Sequence, residues 1–123
     1  MKYLIDTNVL LWYISGNKQL SAEYVEIISN NRVYLSIASL WEIVIKQSIG
    51  KLTLDFDIFE KVNTYEEEDS LKIIQIEKKH LLTLRDLNFI SKDPFDRIIY
   101  STAKTEGMKF LYTDKIFDEY NKL

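Results

Sequence analysis

Hydrophobic positions cluster unevenly along the chain. Four short runs, Tyr3–Ile5, Val33–Leu35, Ile73–Ile76 and Phe110–Tyr112, are apolar at nearly every position. A half-exposed strand alternates, whereas a strand covered on both faces does not, so these runs predict buried strands of a parallel sheet. Between them the period changes. In Phe95, Ile98, Ile99, Thr102 and Ala103 apolar or small residues recur at three and four positions, the pattern of a helix with one face on a core. Ser21 stands where it would cap a helix reaching about Asn30, and Ile58, Phe59, Val62 and Tyr65 mark another.

Glycine and proline punctuate the same map. Gly16, Gly50 and Gly107 each follow a helical stretch, where the residue past the C-terminus takes a positive φ. Pro94 follows Asp93 as the first helical residue follows its N-cap. The expected order is β-α-α-β-α-α-β-α-α-β-α. That order predicts an α/β domain over residues 1–123, a short parallel sheet of about four strands with helices on both faces. Glu66-Glu67-Glu68-Asp69 reads as a solvated helix end.

Composition narrows the function. The 123 residues suit one domain with a core of its own. There is no cysteine, which excludes disulfides, thiolate metal sites and cysteine catalysis. A single histidine, His80, excludes sites that need two imidazoles from one chain. The net charge of −3 is not that of a protein coating nucleic acid. No apolar run is long enough to span a membrane, and Asp6 interrupts the N-terminus too early for a secretory signal. The expectation is a soluble cytoplasmic protein without a membrane partner.

In an open parallel sheet, ligands bind beyond the carboxyl ends of the strands. Four acids fall there. Asp6 directly follows the first strand and Asp114 closely follows the last. Glu42 lies in the first turns of the helix after the second strand, and Asp96 in the first turn of the helix opened by Pro94. Each has an ordinary structural explanation. An Asp after a strand is a common N-cap, Ser39 with Glu42 has the spacing of a capping box, and Asp93 with Asp96 forms a similar local pair. An acid in a first turn also gains roughly 0.3–1 kcal/mol from the helix dipole. Four carboxylates in one cleft, however, repel one another unless cations neutralise them. An all-oxygen cluster suits Mg²⁺ or Mn²⁺. Such ions activate water and stabilise the charge of an in-line phosphoryl displacement, which points to a phosphodiester substrate.

The motifs together resemble the PIN-domain family and, within it, the VapC-like toxins of type II toxin–antitoxin pairs. The resemblance begins at Tyr3-Leu4-Ile5-Asp6-Thr7-Asn8-Val9-Leu10-Leu11-Trp12. It continues through Ser36-Ile37-Ala38-Ser39-Leu40-Trp41-Glu42-Ile43, Lys46 and Gly50-Lys51-Leu52. It then takes in His80, Asp93-Pro94-Phe95-Asp96-Arg97 and Thr113-Asp114-Lys115. It implies a PIN-like sandwich and a magnesium-dependent endoribonuclease with acidic residues at Asp6, Glu42, Asp96 and Asp114. It implies polar helpers at Thr7, Asn8 and Thr113, an RNA substrate, a homodimer and a protein antitoxin that blocks the site. The chain departs from the pattern at Ser91-Lys92, where close relatives often have His-Arg, and at Asn8, where many have histidine. Neither departure removes a ligand.

Other residues carry two readings each. Lys46, four residues after Glu42, makes an ordinary helix pair, or else orients Glu42 or contacts a phosphate. Asp93 reads as an N-cap before a ligand. Arg97 is a partner for Asp96 or for phosphate, His80 a packing or surface residue, and Trp12 and Trp41 are core aromatics. The run Val9–Ile14 is apolar all round its helix, as if one side faced a partner. Without the four acids the net charge is +1, so Lys46, Lys92, Arg97 and Lys115 leave room for phosphate contacts. Two other readings remain: a receiver-like phosphoacceptor, which lacks its acidic pair after the first strand, and a non-catalytic PIN-like module that only docks RNA or protein.

Overall fold

In the computed structural model, which describes residues 1–121 of the expected 1–123 domain, the predicted order of elements is found. The strands are β1 (Tyr3–Ile5), β2 (Val33–Ser36), β3 (Leu71–Ile74) and β4 (Lys109–Leu111). The helices are α1 (Thr7–Ser15), α2 (Ala22–Asn30), α3 (Ile37–Ser48), α4 (Ile58–Glu67), α5 (Lys78–Arg85), α6 (Pro94–Glu106) and α7 (Ile116–Asn121).

All pairings are parallel and the sheet order is β3-β2-β1-β4. Successive side chains of a strand point to opposite faces, and each face here has its own core. Ile5, Val33, Leu35, Leu71 and Leu111 pack with α1, α2, part of α3 and α4. Leu4 and Tyr34 pack against Ile98, Ile99 and Ala103 of α6. Burial on both sides explains why β1 and β2 read as unbroken apolar runs.

β3 starts two residues earlier than Ile73–Ile76, and β4 one residue earlier than Phe110–Tyr112. Both are edge strands. Each includes an exposed lysine, Lys72 or Lys109, paired in register with Tyr34 or Tyr3. An edge tolerates charge that a central strand does not, and the apolar pattern therefore missed those positions.

Ser21 and Asp93 cap α2 and α6 as expected. Gly16 and Gly107 end α1 and α6 with φ of 66°, which a β-carbon would strain. Ser39 is not a cap. The strand β2 runs straight into α3, and Ser36 Oγ accepts from the Ala38 N–H at 3.0 Å. Ser39 is thereby drawn inside the helix and buried. Trp41 is not in the core either: it is 56% exposed and meets Phe95 edge-on, 5.0 Å between centroids. The apolar helix α1 is partly covered by the chain itself. Val9 and Leu10 are buried, and Leu11, Trp12, Tyr13 and Ile14 are half-buried against the same core. Tyr13 meets Tyr65 of α4 and bonds Ser29 of α2 at 3.1 Å. The acidic run 66–69 is exposed at the end of α4, as read. No helix among the described residues is long and apolar enough to cross a membrane.

Candidate metal centre

The chain passes from β1 to β2 to β3 on one side of the sheet, then places β4 on the other side of β1. Strand order reverses at β1, where loops diverge and open a crevice. Asp6 and Asp114 follow the two strands that border it. The crevice is a cleft of about 270 Å³ lined by Asp6, Glu42, Asp96 and Asp114 together with Thr7, Asn8, Lys46, Asp93 and Thr113. All four predicted acids and five of the six predicted supporting residues meet there.

Local structure sets each carboxylate. Asp6 continues the β1–β4 ladder through its N–H to Leu111 O at 2.9 Å, and its side chain caps α1 by accepting from the Thr7 N–H at 2.8 Å. The capping explanation is therefore correct and does not compete with a role in the cleft. Glu42 is 5% exposed, with both oxygens engaged. The Thr7 hydroxyl donates to Oε1 at 2.7 Å, and Lys46 Nζ lies 2.7 Å from Oε2. Lys46 thus orients Glu42. The Thr7 hydroxyl also lies 2.9 Å from Ser39 Oγ. Its single proton is committed to Glu42, which makes Ser39 the donor to Thr7.

Asp93 caps α6 through the Phe95 and Asp96 N–H groups at 2.8 and 3.1 Å, and this turn presents Asp96 to the cleft. The Ser91 hydroxyl lies 3.3 Å from Asp96 Oδ2. Asp114 is exposed and accepts from the Ile116 N–H at 3.0 Å, opening α7. Arg97 does not pair with Asp96 and does not line the cleft. Its guanidinium bonds the Asn88 and Ser91 carbonyls at 3.3 and 3.5 Å and stacks over Phe89. Lys92 is exposed and does not line the cleft.

Electrostatics separates two acids from ordinary caps. Burial, then the charges of Asp96, Glu42 and Asp114, push Asp6 from 3.8 up to about 7 despite the Thr7 N–H. Burial, then Asp93, Glu42 and Asp114, push Asp96 from 3.8 up to about 6. The Glu42 carboxylate holds the Lys46 ammonium above its ordinary value. Two lysines, Lys46 and Lys51, face five acids in the cleft. The donor set is all oxygen and short of positive charge, which fits a hard divalent cation.

The four acids stand apart. Among the described residues, the group whose ligand atoms all lie within 4.8 Å of one another is Glu77, His80 and Glu106, on α5 and α6. That group is already satisfied. His80 is fully buried, as a packing residue, with Nδ1 accepting from the Glu77 N–H at 3.0 Å and Nε2 2.7 Å from Glu106. Lys79 adds an ion pair to Glu106 at 2.9 Å.

The sequence reading missed Ser39 and Ser91. Ser39 was assigned to a cap, and only the start of α3 at Ile37 shows that it faces Thr7. Ser91 was visible as a departure from a motif, yet its bond to Asp96 depends on how the loop before α6 folds. Its N–H donates to Tyr120 Oη of α7 at 3.0 Å, which pins that loop.

A toxin–antitoxin complex from Klebsiella pneumoniae includes a chain of similar fold: TM-score 0.63, 19% identity, 93% of this chain and 88% of that one covered. VapBC2 from Rickettsia felis, bound to a DNA fragment from its promoter, gives TM-score 0.72 and 18% identity over 100% of this chain and 96% of that one. DNA-bound VapBC from Salmonella typhimurium gives TM-score 0.64 and 14% identity, covering 96% and 91%. No curated protein sequence matches. The family model described as PIN domain matches residues 3–123, nearly the whole chain, and the chain accordingly belongs to the PIN-domain family.

Proposed function

We propose that this PIN-domain protein is a metal-dependent endoribonuclease, the VapC-like toxin of a type II toxin–antitoxin pair acting in the cytoplasm. The observation that carries the reading is the convergence of Asp6, Glu42, Asp96 and Asp114 on one cleft, with Asp6 forced up to about 7. The end of β1, helices α3 and α6, and the turn between β4 and α7 bring them to one cleft.

Asp6, Glu42, Asp96 and Asp114 would hold Mg²⁺ or Mn²⁺, which supplies activation of water and charge stabilisation at phosphorus. The reaction adds water oxygen to phosphorus and releases a ribose oxygen. The rest of the work falls to the chain. Thr7 and Lys46 fix both oxygens of Glu42, Asp93 fixes the turn that carries Asp96, and Ser91 steadies Asp96 itself. Asn8 and Thr113 offer neutral polar groups at the rim, where a phosphate or ribose can bond without added charge.

The same reading includes a protein antitoxin and a homodimer. Solved relatives of this fold are found in toxin–antitoxin complexes. Leu11, half-buried, lines the cleft beside Asp6. A partner segment laid there with an arginine or lysine among the carboxylates would compete with metal and block the site without unfolding it. Co-purification with the neighbouring gene's product tests the antitoxin, and sedimentation velocity tests the dimer.

The deciding experiment is digestion of total RNA with Mg²⁺ or Mn²⁺, with and without EDTA, comparing wild type and Asp6→Asn. Metal-dependent cutting by wild type alone is expected. Cutting that survives excess EDTA, or equal cutting by Asp6→Asn, overturns the reading. A module that only docks RNA would bind but leave every strand intact.

A further inference from the structure

Three hollows in the surface share lining residues, each with the next. The acidic cleft shares Thr113 with a second hollow of about 340 Å³ that includes Trp12, Tyr24 and Tyr112. The second shares Tyr24 and Tyr112 with a third, about 470 Å³, which runs beside β4 and includes Tyr100, Phe110, Lys104 and Lys109. β4 is an edge strand, so nothing in the sheet closes this side.

The chemistry changes along the path. The cleft is acidic. The second hollow is lined by no charged side chain, and the third has lysines and no carboxylate in its lining. The nearby Asp118 accepts from the Tyr112 hydroxyl and is thereby occupied. Lys104 and Lys109 are exposed and form no ion pair among the described residues. The rings are held by one another rather than left loose. Tyr100 stacks on Tyr120 at 4.6 Å, and Phe110 lies 5.6 Å from Tyr112 and 6.0 Å from Tyr100. Half-buried aromatic rings in a fixed array, followed by uncompensated lysines, are the two components of a single-strand nucleic-acid groove. The rings stack on bases of any sequence and the lysines donate to phosphates.

We propose that the groove running from Thr113 past Tyr24 and Tyr112 to Lys104 and Lys109 holds the single-stranded RNA flanking the scissile bond. This rests on the nuclease reading and names where one side of its substrate lies. The edge of β4 alone spans about 10 Å, and with the second hollow the path holds more than one nucleotide. A peptide strand added to β4 would use main-chain hydrogen bonds, and neither the aromatic lining nor the two unpaired lysines would be needed for it.

The test uses full-length protein, an RNA tetranucleotide and an RNA dodecanucleotide. One variant is the double substitution Lys104→Glu, Lys109→Glu at exposed positions. The other is Tyr24→Leu, which keeps apolar bulk and removes the π face together with the hydroxyl that accepts from the Tyr112 N–H at 3.4 Å. Binding is read by fluorescence anisotropy in an Asp6→Asn background and cleavage in the wild-type background, with thermal melting to establish folding. The charge reversal should weaken dodecanucleotide binding about tenfold or more and lower the salt slope by roughly 1–2. Tyr24→Leu should weaken it several-fold with the salt slope unchanged, and in both variants cleavage of the dodecanucleotide should fall more than cleavage of the tetranucleotide. Folded variants that bind the dodecanucleotide like wild type overturn the groove, as do variants that lose both substrates equally. Variants that release a co-purified protein partner while keeping RNA binding assign the groove to that partner and also overturn it. If wild type cuts both RNAs with Mg²⁺ or Mn²⁺ while the groove variants are indistinguishable from it, the groove falls alone. If wild type cuts neither, the nuclease reading falls and takes the groove with it.

Discussion

Glu106, between α5 and α6, and Asp6, at the end of β1, are both acids drawn in among other titratable groups, and the fold treats them in opposite ways. Glu106 receives Lys79 and His80, and these bonds hold its carboxyl below the ordinary value. Asp6 receives one backbone N–H and faces three carboxylates, and it is pushed up to about 7. The first group is internally neutralised and closes two helices on each other. The second is left with unspent negative charge in an open cleft. Crowded acids serve structure when the fold supplies their cations. They point to a ligand when it does not.

The sharpest way to break this contrast is to neutralise the cleft. Asp6→Asn, Glu42→Gln, Asp96→Asn and Asp114→Asn should each lower the initial rate of RNA cleavage on the order of a hundredfold or more. Without divalent cation, Asp6→Asn should also raise stability on the order of 1–3 kcal/mol, since Asn keeps the cap and removes the repelled charge. Wild-type cleavage by these variants would mean the four acids are caps and nothing more.

The opposite cluster should give the reverse result. His80→Ala opens a cavity and orphans the Glu77 N–H, costing about 2–4 kcal/mol in urea titration. Cleavage per folded molecule should stay at the wild-type value. A loss of cleavage without loss of stability would move His80 into the function.

Metal should act on one cluster only. Mn²⁺ at tenfold its Kd should stabilise wild type by about 1.4 kcal/mol, read as a higher Tm. Asp6→Asn should lose this shift and His80→Gln should keep it. A shift lost in His80→Gln instead would place the cation at α5–α6.

The pH dependence should divide the same way. Asp6 and Asp96 titrate in the folded protein at about 7 and about 6, against an ordinary 3.8. Between those values the folded state holds protons that the unfolded state has released. In the absence of divalent cation, stability should therefore fall as pH rises from about 4 to about 7, then level off. Glu106 contributes with the other sign. Its stabilisation is present above the ordinary carboxylate value and is lost as pH falls through its lowered one. Thermal melts of wild type and Asp6→Asn across this range should diverge as pH rises. The smallest effect is expected at Ser91→Ala, about 1 kcal/mol, because two long bonds are lost, 3.3 Å to Asp96 and 3.2 Å from the Asp93 N–H.

The sequence by itself determined what depends on neighbours in the chain. The apolar runs of β1 and β2, the caps Ser21 and Asp93, and the positive-φ glycines Gly16 and Gly107 are local matters, and all were legible. So was the order of elements, and from it the end of the sheet to which Asp6, Glu42, Asp96 and Asp114 belong. The family motifs pointed to the same four positions. Tertiary structure decided whatever depends on a partner distant in the chain. The starts of β3 and β4 follow from edge pairing that lets Lys72 and Lys109 into strands. Ser39 meets Thr7 across 32 positions, and Ser91 is fixed by Tyr120 across 29. Trp41 lies outside the core because the core closed without it, and Tyr13 found its cover in Ser29 of α2 and Tyr65 of α4. His80 and Glu106, 26 positions apart, are held together only by the packing of α5 on α6. Charge makes the last division. The sequence counts acids, and only their distances and burial decide which remain uncompensated.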